Sequence, residues 1–451
     1  MKCLFLYFNP APDSARPSTR QLPDEYWMRA QGSSIHTGIA SLAAVAALQQ
    51  VECQVFDTSH SATSELGKIF REQLLHFSPD ILGITCFTQN WNGIKALLAE
   101  ALDCYPGKQP LVIIGGPHAS AAPESVVAFP LIDIVVLGEG EMPFVRIIES
   151  LKQRVGFDQI PGIWFRKGQK VVKNPDPVFV SDLDSLPYPD WEVFRTSYLV
   201  ARSVDFGRAA VGVFNTSRGC PYRCSYCQND TYRRLYHSAR KFHREQSAER
   251  VVDEIEEKLN RYHFSLVVFL DETFVVDLRR LAKIAEAYKE RIGLPCIVQT
   301  RPDTFGRQFL RLLKEMGVIE MRVGLECGNE DYRKRILGRS ISNQRLIQKF
   351  EIVREFDIAV TTNNIIGLPF ETREMILETI DLNRRLDVAH TCVNVFQPLP
   401  STHLFDLCRE HNLFLGDDPY DLGFGCDKSI IKTQVSQAEL LELKNMFPNL
   451  L

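Results

Sequence analysis

No stretch of this 451-residue sequence stays apolar long enough to cross a bilayer, which takes about 20 residues. The opening run Cys3-Leu4-Phe5-Leu6-Tyr7-Phe8 is far too short, and it lacks the basic flank and cleavage site of a signal peptide. It reads as a buried first strand. Charge of one sign is also lacking: 52 basic against 56 acidic residues leave −4, so no bulk attraction to nucleic acid or an anionic membrane is expected. Low-complexity segments and short-period repeats are missing too. Twelve cysteines are present without the pattern of a disulfide framework, which belongs to small secreted domains. Cys3, Cys53, Cys86, Cys104, Cys296, Cys327 and Cys392 stand singly in apolar runs, as small core hydrophobes do. The expectation is a protein of a reducing cytoplasm with no membrane span and no nucleic-acid partner.

What is present is an ordinary globular composition, 45% apolar and 24% charged, in a chain long enough for two or three domains. Strand patterns at 2–8, 52–56, 81–86, 111–114 and 132–137 alternate with helix patterns at 37–50, 69–77, 92–104 and 141–152. That alternation predicts an α/β domain over 1–155: a doubly wound, flavodoxin- or Rossmann-like parallel sheet that binds ligands beyond its strands' carboxyl ends. Residues 115–118 read as a loop. Over 156–205 a small hairpin turning at Lys167-Gly168-Gln169 leads into an extended linker, because Pro187 and Pro189 block a helix. A second series then places strands at 210–216, 266–270, 297–300, 321–325, 360–366 and 392–396. Helix patterns at 248–262, 278–292, 306–316, 344–356 and 373–386 separate them. Six βα units over 206–405 predict a partial (β/α)6 TIM-type barrel, with functional groups at the C-terminal strand ends. Residues 406–451 are a C-terminal extension and candidate substrate lid carrying Cys408 and Cys426.

One cysteine cluster stands apart. Arg218-Gly219-Cys220-Pro221-Tyr222-Arg223-Cys224-Ser225-Tyr226-Cys227 places three thiols within eight residues, just past the first strand of the second series. Close spacing in a loop lets three thiolates converge on one metal centre. Iron–sulfur clusters held wholly by protein take four cysteines, so three leave one iron open to a chelating substrate. A zinc site would need a fourth ligand, for which His237 or His243 is at hand.

This CxxxCxxC spacing, with aromatic Tyr226 ahead of the third cysteine, resembles the radical SAM superfamily. The resemblance implies that Cys220, Cys224 and Cys227 ligate a [4Fe–4S] cluster whose fourth iron binds the amino and carboxylate groups of S-adenosylmethionine (SAM). One electron from an external reductant, such as flavodoxin or ferredoxin, would then break the S–C5′ bond into methionine and a 5′-deoxyadenosyl radical. It further implies cofactor contacts at strand ends. Asp271 and Glu272 would serve the SAM ammonium, Arg301 its carboxylate or the substrate, and Glu326, in Gly324-Leu325-Glu326-Cys327-Gly328, the ribose. Gly367 and Pro369, in Asn364-Ile365-Ile366-Gly367-Leu368-Pro369-Phe370-Glu371, would flank the adenine through backbone. Phe396-Gln397-Pro398-Leu399-Pro400-Ser401-Thr402 is similar to the family's Pro-x-Pro-Gly-Thr run, with Ser401 in place of Gly.

A radical SAM half preceded by a doubly wound domain resembles the subclass with an N-terminal cobalamin-binding domain. The matching segments are Ser78 to Thr85, Gly115-Gly116-Pro117-His118-Ala119-Ser120 and Val136-Leu137-Gly138-Glu139-Gly140-Glu141. By that resemblance Thr85, Thr88, Gly115, Gly116, His118, Gly138 and Glu139 lie against cobalamin, with His118 a loop or nucleotide-tail contact. The Asp-x-His-x-x-Gly loop that supplies a cobalt ligand elsewhere is missing: Asn9-Pro10-Ala11-Pro12-Asp13 follows the first strand, and Asp57-Thr58-Ser59-His60 has the wrong spacing and strand. Cobalamin would then bind without protein ligation to cobalt. The alternative is a domain with this fold and an empty or repurposed site.

The two halves together imply methyl transfer to an unactivated carbon, or to phosphorus, of a small-molecule intermediate. The alternative within enzymes is a radical cyclisation, oxidation or rearrangement without net methylation. A non-catalytic corrinoid- or SAM-sensing protein would have no need of an open iron. No proton-transferring or nucleophilic residue declares itself in the sequence.

Overall fold

In a computed structural model that describes residues 1–8, 35–58, 65–103, 105–194, 211–237, 242–262, 264–422 and 428–450, the opening run is a central strand. Strand β1 (Lys2–Tyr7) pairs in parallel with β2 (Glu52–Asp57) and β3 (Ile81–Thr85), and β4 (Leu111–Gly115) and β5 (Ile134–Val136) continue the sheet. Helices cover both faces, which is why the strands are apolar without alternation. Leu4 and Leu6 pack with Phe70 and Leu74 of helix Leu66–Phe77 and with Trp91 and Leu98 of helix Trp91–Leu102. Phe5 points the other way, to Phe144 of helix Glu141–Gln153, with ring centroids 5.8 Å apart. The order β2-β1-β3-β4-β5 reverses between β1 and β3, and such a switch point opens a crevice at the carboxyl edge.

Two features of this sheet were not legible in advance. The hairpin β6 (Ile163–Lys167) and β7 (Lys170–Lys173) adds to it antiparallel to β5, with Val136 opposite Ile163, making seven strands. Ile163 and Phe165 bury on the same face of that edge. The stretch after β4, read as loop, turns into two short helices, Pro117–Ala121 and Pro123–Ala128. Each starts on a proline, whose missing N–H has no helical partner to lose at that position.

The second series forms one all-parallel sheet. After β8 (Val211–Phe214) come a two-residue pair, β9 (Ser217–Arg218) with β10 (Arg244–Glu245), then β11 (Leu266–Phe269), β12 (Cys296–Thr300), β13 (Val318–Glu326), β14 (Ala359–Ile366) and β15 (His390–Val395). The six-stranded order β8-β11-β12-β13-β14-β15 follows the chain, as in a partial (β/α)6 barrel. Several helices of this series start on side-chain caps: Asp277, Ser342, Thr372 and Thr402 each accept an amide proton from the first turn. Part of the C-terminal extension is core: Leu440, Leu443 and Phe447 bury with Ile366, Val393 and Val395.

The described residues divide into two compact units, drawn from Met1–Gly207, Thr231–Lys241 and Tyr420–Phe424, and from Arg208–Asp230, Phe242–Pro419 and Gly425–Leu451. Cys3, Cys86, Cys296, Cys327 and Cys408 are buried, Cys53 and Cys392 are half-buried, and none of these seven forms a disulfide. Among the described residues no helix is long and apolar enough to cross a membrane. Loop 9–13, His60, Cys104 and the segment 423–427 with Cys426 lie outside the described residues.

Candidate active site

Local bonding fixes the cysteine loop. Gly219 has φ +76°, and a Cβ there would meet the Phe242 carbonyl oxygen at 2.5 Å, so the chain turns into the loop where glycine is required. Arg280 braces the entrance, donating to the Thr216 and Gln246 carbonyls at 3.0 and 2.7 Å. The loop closes on itself through Cys227 N–H to the Cys224 carbonyl at 3.1 Å. It is laced to a distant segment where Ser225 donates its N–H to Leu337 O and its hydroxyl to Ile336 O. Cys220 and Cys224 are each 8% exposed, and Cys227 is half-buried.

The three thiols have different neighbours. Cys220 Sγ lies 3.6 Å from the Thr273 hydroxyl, and Cys227 accepts from the Asn229 amide at 3.7 Å. Cys224 instead accepts from two guanidiniums, Arg301 Nη1 at 3.0 Å and Arg339 Nη1 at 3.9 Å. Burial pushes the Cys220 thiol up and the Cys227 thiol to about 11, so loading this loop with metal releases protons. Arg301 also stacks on Tyr222, 3.8 Å from the ring centroid, and pairs with Asp303 at 2.9 Å.

Arg339 is the functional residue that sequence reading missed. It is 3% exposed and donates to Tyr226 Oη at 3.2 Å and to the Gly324 carbonyl, with Glu326 Oε1 at 3.5 Å. No local pattern marks it. Glu326 stands where the motif placed it, at the end of β13, but with φ +70°, in the left-handed region that non-glycine residues rarely hold. A Cβ at Gly324 would overlap Glu326 Oε1, so the carboxylate lies where only glycine leaves it this position. Burial raises the Glu326 carboxyl, with Arg339 opposing. Tyr226 thus joins Glu326 and Cys224 through Arg339, and Arg301 meets the same group at Cys224.

Of the remaining barrel candidates, Asp271 is fully buried, and its Oδ1 accepts from the Thr216 N–H at 3.0 Å and from the Thr216 and Ser217 hydroxyls. It ties the end of β11 to the entry of the cysteine loop. Glu272 is exposed. Gly367, at φ +72°, approaches Leu440 and Val395, and the Pro369 carbonyl accepts from Tyr332 Oη at 2.6 Å. Glu371, 1% exposed, accepts from the Leu368 N–H at 3.1 Å and so holds this turn.

In the first unit the candidates gather at the carboxyl edge of the sheet, but most are already engaged with protein. Gly116 has φ +97°, and a Cβ there would meet Cys86 backbone at 2.9 Å. At Gly138, φ +72°, a side chain would overlap the Tyr236 ring, whose hydroxyl accepts from Glu139 N–H at 2.6 Å. Glu139 Oε2 accepts from Val180 N–H at 2.9 Å. His118 is fully buried, with Nδ1 3.2 Å from Thr88 Oγ1 and Nε2 3.5 Å from Ser125 Oγ, which also commits Thr88. Thr85 and Gly115 stay half-buried at the edge, beside Tyr7, Phe87 and His36. His36 was not singled out from sequence. Its Nδ1 accepts from Ile39 N–H at 3.1 Å, and burial lowers its pKa to about 4, keeping it neutral.

His237 pairs with Asp176 at 3.2 Å within the first unit, and His243 Nδ1 lies 2.9 Å from Gly219 O. Among the described residues no three His, Cys, Asp or Glu side chains converge tightly enough to grip a single ion. A mononuclear zinc holds each thiolate sulfur at about 2.3 Å.

Residues 214–382 match the Radical SAM superfamily, and residues 29–148 match the B12 binding domain. The chain is 28% identical over 354 residues to an uncharacterized methyltransferase of Pyrococcus horikoshii, covering 78% of this chain and 73% of that protein. It is 26% identical to the anaerobic magnesium-protoporphyrin IX monomethyl ester cyclase of Cereibacter sphaeroides, covering 75% of this chain and 55% of that protein. It is 25% identical to the cytidylyl-2-hydroxyethylphosphonate methyltransferase of Streptomyces wedmorensis, at 68% and 60% coverage. The chain thus spans less than two thirds of the last two. In fold it is similar to the radical S-adenosylmethionine methyltransferase TsrM of Kitasatospora setae, solved with cobalamin and a [4Fe–4S] cluster, with TM-score 0.67 at 17% identity over 97% of this chain and 80% of that one. With both matches in one chain, in this order, the chain carries a B12-binding domain followed by a radical SAM domain, and the cofactors that this pair of domains implies are a [4Fe–4S] cluster, SAM and cobalamin.

Proposed function

We propose that the chain is a cobalamin-dependent radical SAM methyltransferase acting on an unactivated carbon, or on phosphorus, of a small biosynthetic intermediate. The observation that carries this reading is the loop of three cysteines, none in a disulfide, at the strand ends of the barrel, with two guanidiniums on Cys224. That donor set fits a cluster with one iron left for SAM. The first unit fits a corrin at its switch point, where Tyr7, His36, Thr85 and Phe87 are half-buried at one edge. The described histidines of that edge favour cobalt without a protein ligand, since His36 Nδ1 and both His118 nitrogens are engaged. When bound, the groups supply one-electron cleavage of the SAM sulfonium and a transferable methyl on cobalt.

The chain's own residues bind and orient. Cys220, Cys224 and Cys227 act as thiolates, Arg301 takes the SAM carboxylate, and Glu326 the ribose hydroxyls. The backbone at Gly367 and Pro369 borders the adenine. Asp271 acts through the loop it anchors, and its second oxygen is a buried acceptor. Thr85 and Gly115 border the corrin. The reading calls for an external one-electron donor of the flavodoxin or ferredoxin type and a cytoplasmic setting.

A second reading, radical ring closure without net methylation, is favoured by the cyclase relative of Cereibacter sphaeroides. Anaerobic purification with iron, sulfide and hydroxocobalamin, followed by absorption spectra and iron and cobalt counts, tests the cofactors. S-Adenosylhomocysteine release with substrate supports methylation, and 5′-deoxyadenosine without it supports cyclisation. Cobalt near zero removes the methyltransferase reading.

A further inference from the structure

We propose that Arg339 sets the reduction potential of the cluster through Cys224, and that Glu326 is its counterweight. The inference rests on the reading that the three cysteines hold a [4Fe–4S] cluster. Arg339 is buried in unusual company for a cation: a carboxylate, a phenol and a thiol, with Glu326 Oε1 at 3.5 Å, Tyr226 Oη at 3.2 Å and Cys224 Sγ at 3.9 Å. Its second nitrogen donates to the Gly324 carbonyl. A buried guanidinium that served packing alone would not require the surrounding backbone to be special, yet here it is. Glu326 holds φ +70°, and its Oε1 occupies the space that a side chain at Gly324 would take. Gly338, just before Arg339, has φ +70°, and a Cβ there would stand 3.1 Å from the carbonyl oxygen of Arg223, next to Cys224. Strain held by the surroundings in this way clusters at functional sites.

Cys220 has the Thr273 hydroxyl at 3.6 Å and Cys227 accepts from the Asn229 amide, whereas two guanidiniums meet at Cys224. One-electron reduction adds a negative charge to the cluster. A cation that donates a hydrogen bond to a ligating sulfur, in a site shielded from water, stabilises the reduced form and raises the potential. Glu326 holds the guanidinium in place and subtracts from its field. The two residues therefore act with opposite sign on the same potential, which a purely structural pair would not do.

The test is a redox titration of the full chain, reconstituted anaerobically and without SAM, with dithionite as electron donor and the reduced cluster read by electron paramagnetic resonance. Iron and sulfide counts confirm a full cluster in each variant. Arg339→Gln is expected to cut the reduced-to-oxidised ratio at fixed poise about tenfold, equivalent to about 59 mV for one electron. Arg339→Lys keeps most of the wild-type value. Glu326→Gln moves the ratio the other way. Unchanged midpoints in both neutral variants, or shifts of the same sign, overturn the proposal. If Arg339→Gln loses its cluster, the sign in Glu326→Gln decides, and an unchanged or lower midpoint there overturns it. A wild-type chain that assembles no cluster overturns the proposed function first, and this inference with it.

Discussion

Arg301 brings Nη1 to 3.0 Å from the sulfur of Cys224 while its guanidinium lies over Tyr222 and pairs with Asp303. The central cysteine of the loop is thus the one most strongly tied to the barrel, through a side chain from the end of β12. Losing it should remove a ligand and also leave Arg301 buried against nothing anionic but Asp303. Cys224→Ala is expected to abolish 5′-deoxyadenosine formation and to lower the iron count below a full cluster. Normal turnover in that variant would refute the assignment of the loop.

Arg301→Ala should weaken SAM binding by roughly tenfold to a hundredfold, the scale of about 1.5–3 kcal/mol for a hydrogen bond to a charged group. Equilibrium dialysis of labelled SAM against the reconstituted protein reads this directly. An unchanged affinity would confine Arg301 to Cys224.

Burial pushes the Glu371 carboxyl up from 4.5 to about 8, against the pull of the Leu368 and Gly367 amides. The folded chain then binds more protons than the unfolded one between those two values. The contribution of Glu371 is fully present below about pH 4.5 and is lost as pH rises through about 8. Each unit of separation is worth about 1.4 kcal/mol, so the loss is on the order of a few kcal/mol. Melting temperatures of wild type and Glu371→Gln between pH 5 and 9 should diverge, the wild type falling more steeply. Parallel curves would show that the group titrates normally.

His118 is sealed between the Thr88 and Ser125 hydroxyls and the rings of Trp91 and Tyr420. His118→Ala should cost stability, about 2–4 kcal/mol for a large buried ring, and leave the cobalt spectrum alone. Nitrogen splitting in the cob(II)alamin resonance that vanished in this variant would make His118 a ligand after all.

Tyr236→Phe deprives Glu139 N–H of the phenol oxygen 2.6 Å away and should destabilise the first unit by about 1–3 kcal/mol. Gly138→Ala combines a positive φ with overlap on the Tyr236 ring and should cost more. Denaturant titrations of the two variants would settle the order, and equal stability of Gly138→Ala and wild type would contradict the packing.

Much of this was readable from the chain. Strand and helix positions in both halves came from hydrophobic period, and the cysteine loop from spacing alone. What stayed hidden involved side chains whose partners are remote. The resemblance gives Asp271 to the SAM ammonium, but nothing near it in the chain announces that its Oδ1 accepts from the Thr216 N–H and from the Thr216 and Ser217 hydroxyls. Gly116 and Gly138 stand in segments that resemble a cobalamin-binding edge, and the chain does not tell that Cys86 backbone and the Tyr236 ring come close to them. A glycine in a sequence says that something comes close. It does not say what.

By itself the sequence determined the alternation of elements, the order of the two domains and the three thiols in one loop, since each is set by residues that neighbour one another along the chain. Only the tertiary structure decided the charge around those thiols. Arg301 and Arg339 reach Cys224 from 77 and 115 residues away. Their meeting depends on the register in which parallel strands pair and on where each strand ends, and no local pattern carries that information.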